Sequence, residues 1–143
     1  MKASDLLIEK MIEFESLRLT SYKDSVGVWT IGVGHTNGVR QGQTITKEQA
    51  MTLLKGDLLP CENFVNSIKE IDTQGKFDAL VDFAFNLGVG ALKDSTLLKR
   101  IRNKESETLI KNEFMKWIHA GGRVEKGLVK RRNWEAMRYS QKG

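Results

Sequence analysis

Residues 17–36 read LRLTSYKDSVGVWTIGVGHT, and this stretch decides the fold. Leu17, Leu19 and Ser21 alternate with Arg18, Thr20 and Tyr22, the period of two expected of a strand. Asp24, Ser25, Val26 and Gly27 then supply turn residues. Val28, Trp29, Thr30 and Ile31 return to the β-branched and aromatic side chains that suit a pleated surface. Glycines at 27, 32, 34, 38 and 42 punctuate the region and allow tight turns. The expectation is a small antiparallel sheet of two or three short strands.

Working outward, the pattern becomes helical. Ser4 to Glu15 places Leu7, Met11 and Phe14 on one stripe with Ile8 and Ile12 beside it, and Ser4 can cap the helix. Thr46 and Gln49 have the spacing of a reciprocal capping box, followed by Ala50, Leu53, Leu54 and Leu58 at helical intervals. Pro60 removes one helical hydrogen bond, so it ends or kinks this helix. A helix over Thr73–Asn86 buries Phe77, Leu80, Val81 and Ala84. Ser95 caps a short helix carrying Leu97, Leu98 and Ile101. Ser106 to His119 reads as a helix with Leu109, Ile110, Phe114, Trp117 and Ile118 inward. Gly121 and Gly122 break the chain before a last helix from about Leu128 to Tyr139. The expected fold is α+β in one domain, 1–143. Its small β lobe covers about 15–45 and its larger helical lobe covers 1–14 and 46–143, with a ligand cleft between the two.

Composition narrows the classes. At 143 residues the chain is about one domain long, and 40% hydrophobic with 29% charged residues argues against disorder. The longest apolar run is three residues, whereas a spanning helix needs about twenty. The N-terminus lacks the pattern of a signal peptide, so a soluble, unanchored protein is expected. Cys61 is the only cysteine, which excludes an intrachain disulfide and a thiolate metal cluster; His35 and His119 stand too far apart in sequence to suggest zinc. With 23 Lys and Arg against 18 Asp and Glu, the net charge of +5 favours encounter with polyanions: nucleic acid, acidic lipid or an anionic wall polymer.

Three residues could carry chemistry. Cleaving an acetal needs a proton for the departing oxygen and an activated water or carboxylate at the sugar carbon. Glu15 closes the first helix, Asp24 opens the turn, and Thr30 lies on the second strand with a hydroxyl that both donates and accepts. Two carboxyls on different elements can face a sugar from different sides. By spacing alone the alternative stays open: Glu15 on polar surface and Asp24 merely starting a turn.

The run from Glu15 to Asp24, continued by Gly27-Val-Trp-Thr30-Ile-Gly-Val-Gly-His35-Thr36, closely resembles the N-terminal signature of phage-type lysozymes, the endolysins of glycoside hydrolase family 24. Phe77-Asp-Ala-Leu-Val-Asp-Phe-Ala-Phe-Asn86-Leu-Gly88 resembles the family's cleft-lining helix. Trp117-Ile-His-Ala-Gly-Gly122, with Gly127-Leu-Val-Lys-Arg131-Arg132-Asn-Trp-Glu135, is similar to its C-terminal signature. The resemblance implies Glu15 as general acid, Asp24 as second carboxylate and Thr30 as the residue ordering the attacking water. It also implies a muramidase that inverts at the β-1,4 bond between N-acetylmuramic acid and N-acetylglucosamine in peptidoglycan, needs no metal or organic cofactor, and lyses the host after phage infection. The protein would then wait in the host cytoplasm until a membrane lesion lets it reach the wall, without stable membrane association. One departure is Ser16, where the family usually has Gly.

Asn86 and Thr36 are substrate-binding candidates, Asn86 because its amide can donate to and accept from an N-acetyl sugar, with helix capping as its alternative role. Arg131 or Arg132 could turn inward and orient Glu15. His35 is expected to tie the sheet down through a hydrogen bond or ion pair. Trp29 and Trp117 are expected to pack, and Glu9 and Glu13 to be solvated. The competing functions are a lytic transglycosylase and an inert wall-binding module, with nucleic-acid binding ranked below both. A monomer is expected.

Overall fold

The computed structural model describes all residues, 1–143. The quoted stretch forms a hairpin: β1 (Arg18–Lys23) pairs antiparallel with β2 (Trp29–Gly32), with Tyr22 opposite Thr30 and Lys23 opposite Trp29. The register is irregular between Arg18 and Tyr22. A third short strand is present as an isolated bridge between Thr20 and Thr44, flanked by Ser21 N–H donating to Gln43 O at 2.9 Å and Ile45 N–H to Leu19 O at 2.9 Å. After β2 the chain reverses tightly, and Ile31 and His35 exchange both backbone hydrogen bonds. Gly32 and Gly34, at φ +66° and +65°, supply the left-handed backbone this reversal needs.

Helix α1 (Asp5–Glu15) precedes the hairpin, and α2 (Lys47–Asn66) follows it. The capping box is realised in both directions, Gln49 N–H to Thr46 Oγ1 at 3.1 Å and Thr46 N–H to Gln49 Oε1 at 2.9 Å. Pro60 does not end α2, which runs six residues beyond it. Pro60 and Gly56, the residue four earlier whose carbonyl loses its partner, are both exposed, so water can satisfy that carbonyl.

The remaining helices are α3 (Gln74–Leu87), α4 (Val89–Lys93), α5 (Thr96–Arg102), α6 (Glu107–Phe114) and α7 (Lys126–Tyr139). Thr73, Ser95 and Ser106 each accept a backbone N–H at the start of α3, α5 and α6. Helix α3 is the core element, with Phe77, Leu80, Val81, Phe83 and Ala84 buried. The rings of Phe114 and Trp117 meet Phe83 edge to face, at 6.0 and 5.3 Å.

Two expectations fail here. Helix α6 stops at Phe114 rather than His119, and Leu109 lies exposed. In place of the last helical turn stands a second hairpin, β3 (His119–Ala120) with β4 (Arg123–Val124). Gly121 and Gly122, at φ +58° and +79°, form its two-residue turn, the left-handed pair that matches strand twist.

The chain divides into two compact units, Asp5–Leu59 on one hand and Met1–Ser4 with Pro60–Gly143 on the other. The first holds α1, the hairpin and α2 as far as Leu59, so it extends beyond residues 15–45 on both sides. In the second, Asp78 of α3 accepts from Ser4, from Gln74 and from Arg138 of α7.

Candidate active site

Glu15, Asp24, Thr30 and Thr36 all belong to the unit Asp5–Leu59. Glu15 is the last residue of α1 and is half-buried. It rests on the backbone of Gly34: a Cβ built there would lie 2.8 Å from Glu15 Oε1. Any side chain at 34 would thus collide with the carboxyl, and the turn after β2 sets where Glu15 can sit. Ser16 follows in the left-handed region at φ +67°, its N–H donating to Ile12 O at 2.8 Å. This explains why a glycine suits that position, since L side chains are disfavoured there. Ser16 is exposed and does not crowd the helix end.

Asp24 does begin a turn, yet this uses only one of its oxygens. Oδ1 accepts from Val26 N–H at 3.0 Å and from Val28 N–H at 2.8 Å. Those two bonds fix the plane of the carboxylate and leave Oδ2 as a further acceptor. Thr30 is buried, at 4% exposure, and its hydroxyl donates to Val28 O at 3.0 Å. With its hydrogen so placed, Thr30 Oγ1 can only accept from anything else. Asp24 and Thr30 are therefore braced by the same residue, Val28.

Tyr22, which the sequence did not single out, links the three. It is the cross-strand partner of Thr30. Burial pushes its phenol pKa up, followed by the negative charges of Glu15 and Asp24, while Arg18 opposes them. Both carboxylates thus act on one phenol. The Arg18 guanidinium lies over the Tyr22 ring at 4.4 Å. The available signal was the hairpin register, which sets Tyr22 opposite Thr30.

His35 ties the sheet down as expected. His35 Nδ1 lies 2.7 Å from Asp57 Oδ2 and Nε2 lies 2.9 Å from Asn37 O, tying the sheet to α2. Trp29 is half-buried with Lys23 Nζ 5.4 Å from its ring centre. Glu9 and Glu13 are exposed, and Glu13 pairs with Lys10. Thr36 is exposed.

Asn86, Arg131 and Arg132 come together in the other unit. Asn86 does not cap α3, since Gly88 takes that place at φ +104°. Its Oδ1 accepts from Arg132 Nη2 at 2.7 Å, which holds the amide in one orientation. Arg131 pairs with Asp82 through two parallel bonds, at 2.9 and 2.8 Å. Arg132 also donates to Glu135 Oε2 at 2.8 Å. Asp82 and Glu135 are fully buried and hydrogen-bonded to each other. Burial, then the hydrogen bond and charge of Asp82, hold Glu135 well above the usual carboxylate range, against the pull of Arg132. Burial works the same way on Asp82, but Arg131, the proton of Glu135 and Arg132 outweigh it and keep Asp82 low. The two carboxyls of this buried site are thus shifted in opposite directions, Glu135 up and Asp82 down.

Comparison with known proteins agrees with this architecture. The family model described as phage lysozyme matches residues 12–135. The endolysin of Salmonella phage P22 is 36% identical over 143 residues, covering 96% of this chain and 97% of its own length. The endolysin of Bacillus phage B103 is 42% identical over 139 residues, and the chain spans only 52% of that relative's length. Among solved structures, an endolysin from Escherichia coli O157:H7 phage FAHEc1 superposes with a TM-score of 0.88 at 35% identity, covering 99% of this chain and 94% of that one. The muramidase domain of SpmX from Asticcacaulis excentricus does so with 0.86 at 34% identity and 98% coverage of both chains. On the family match and the full-length likeness to the P22 endolysin, this chain belongs to the phage lysozyme family.

Proposed function

We propose that the protein is an endolysin that hydrolyses the β-1,4 bond between N-acetylmuramic acid and N-acetylglucosamine in bacterial peptidoglycan. The observation that carries the reading is the bracing of Asp24 and Thr30 on Val28, with Asp24 Oδ2 and Thr30 Oγ1 both left to accept, in the unit whose first helix ends in Glu15. Glu15 donates a proton to the departing glycosidic oxygen. A water gives one hydrogen to Asp24 Oδ2 and the other to Thr30 Oγ1, both acceptors by the hydrogen bonds described. Its lone pairs are then left to attack the anomeric carbon, and Asp24 takes the proton as the bond forms. This is single displacement with inversion. Asn86 and Thr36 contact the sugar. An orienting role for Arg131 or Arg132 toward Glu15 belongs to the same reading. The protein acts as a monomer on the wall at the end of phage infection, reaching it from the host cytoplasm after membrane permeabilisation.

The test is release of reducing ends from purified sacculi. Glu15→Gln is expected to lower the rate at least about 100-fold, the scale of a lost general acid. Asp24→Asn is expected to act similarly while keeping an acceptor for the turn. Near-normal rates with Glu15→Gln would remove it as the acid. Products ending in 1,6-anhydromuramic acid would identify a lytic transglycosylase instead, and binding without cleavage an inert wall module.

A further inference from the structure

Arg18 is exposed, has its guanidinium over the Tyr22 ring at 4.4 Å, and has no carboxylate partner within the protein. Residues four apart on a regular strand lie roughly 13 Å apart. The irregularity between Arg18 and Tyr22 and the length of the arginine side chain close that gap. Stacking removes much of the rotamer freedom that makes surface arginines weak receptors, and it engages the guanidinium face while leaving the N–H edge open. That edge stands beside a phenol that feels both Glu15 and Asp24. An anionic polymer approaching two carboxylates meets repulsion, and a fixed cation at the same place offsets it.

We propose that Arg18, held over Tyr22, is a specificity-determining residue that takes a carboxylate of the glycan substrate through its N–H edge. This rests on the muramidase reading and adds to it a reason for preferring a carboxylate-bearing strand over a neutral one. A guanidinium edge matches a carboxylate with two parallel hydrogen bonds. In peptidoglycan the carboxylate comes either from the stem peptide or, where the peptide has been removed, from the lactyl group of muramic acid.

The test measures binding by co-sedimentation, in a Glu15→Gln background so that the polymer is not consumed. Three polymers are compared: sacculi free of secondary polymers, the same sacculi with carboxylates converted to amides, and glycan strands stripped of peptide. Arg18→Gln is expected to weaken binding to intact sacculi about fivefold, the upper range for an exposed pair, and to leave binding to amidated sacculi unchanged. A loss confined to stripped strands assigns the lactyl carboxylate, a loss confined to intact sacculi assigns the peptide, and a loss on both means that the edge takes either. Equal loss on intact and amidated sacculi, or no loss on either intact sacculi or stripped strands, overturns the proposal, as does full recovery by Arg18→Lys, which keeps charge without the fork. Thermal melting of Arg18→Gln checks that the fold is intact. Failure of the muramidase reading registers separately, as absence of reducing ends with the wild-type protein.

Discussion

Ser16 carries a side chain where the backbone is left-handed, at φ +67°. Ser16→Gly should therefore raise stability by about 1 kcal/mol, the usual cost of that conformation for an L-residue, read as a higher midpoint in urea unfolding with an unchanged slope. A fall in midpoint would mean that the serine hydroxyl supplies a bond worth more than the strain. Sequence proposed Glu15, Asp24 and Thr30 from the chemistry of their side chains and the family signature. It missed the role of Tyr22 because a tyrosine on a strand has many uses, and only the pairing register sets this one opposite Thr30. The ties from Asn86 to Arg132 and from Asp82 to Arg131 span 46 and 49 residues, a separation over which no local pattern operates.

At the scale of elements, helices with a strong apolar stripe and a capping residue were legible: α1, α3, α5 and the start of α2. The five-residue α4 is too short to show a period. Strands β3 and β4 have two residues each, too few for alternation, so the Gly121–Gly122 pair looked like a break instead of a hairpin turn. Packing between elements brings a further consequence at Gly75, in the first turn of α3. A Cβ there would sit 1.6 Å from the carbonyl oxygen of Gln141 and 2.5 Å from that of Arg138. Both obstacles are backbone, which cannot rotate aside. Gly75→Ala should lower stability by about 2–3 kcal/mol through displacement of the chain after α7, measured by denaturant unfolding. A neutral result would show that the C-terminal residues yield freely.

The whole molecule carries its charge unevenly in depth, since the interior holds Asp78, Asp82, Glu135, Arg131, Arg132 and Arg138. Glu135 has the sign that matters for alkaline stability. Its folded pKa is raised, so it contributes stability below the ordinary Glu value and loses it as pH rises through the folded value. Asp82 has the opposite sign and loses its contribution only as pH falls through its lowered value. Glu135→Gln keeps a neutral hydrogen-bonding group, so the variant should shed less stability than the wild type as pH rises above the ordinary Glu value. Thermal midpoints measured as pH is raised provide the test, and parallel curves for the two proteins would refute the upward shift of Glu135. No helix is long and apolar enough to cross a membrane.

Under the proposed mechanism, Asp24 couples folding to chemistry in one functional group. The oxygen that staples Val26 and Val28 shares its carbon with the one offered to water, so the reactive atom inherits its aim from the loop that it organises. Shortening this side chain to alanine would blunt the reagent and unfasten its mount together, and a dead enzyme would not reveal which had failed. Asparagine can still fasten the mount, which makes it the informative replacement; redesign of that loop is correspondingly constrained, because every change of its shape also re-aims the nucleophile.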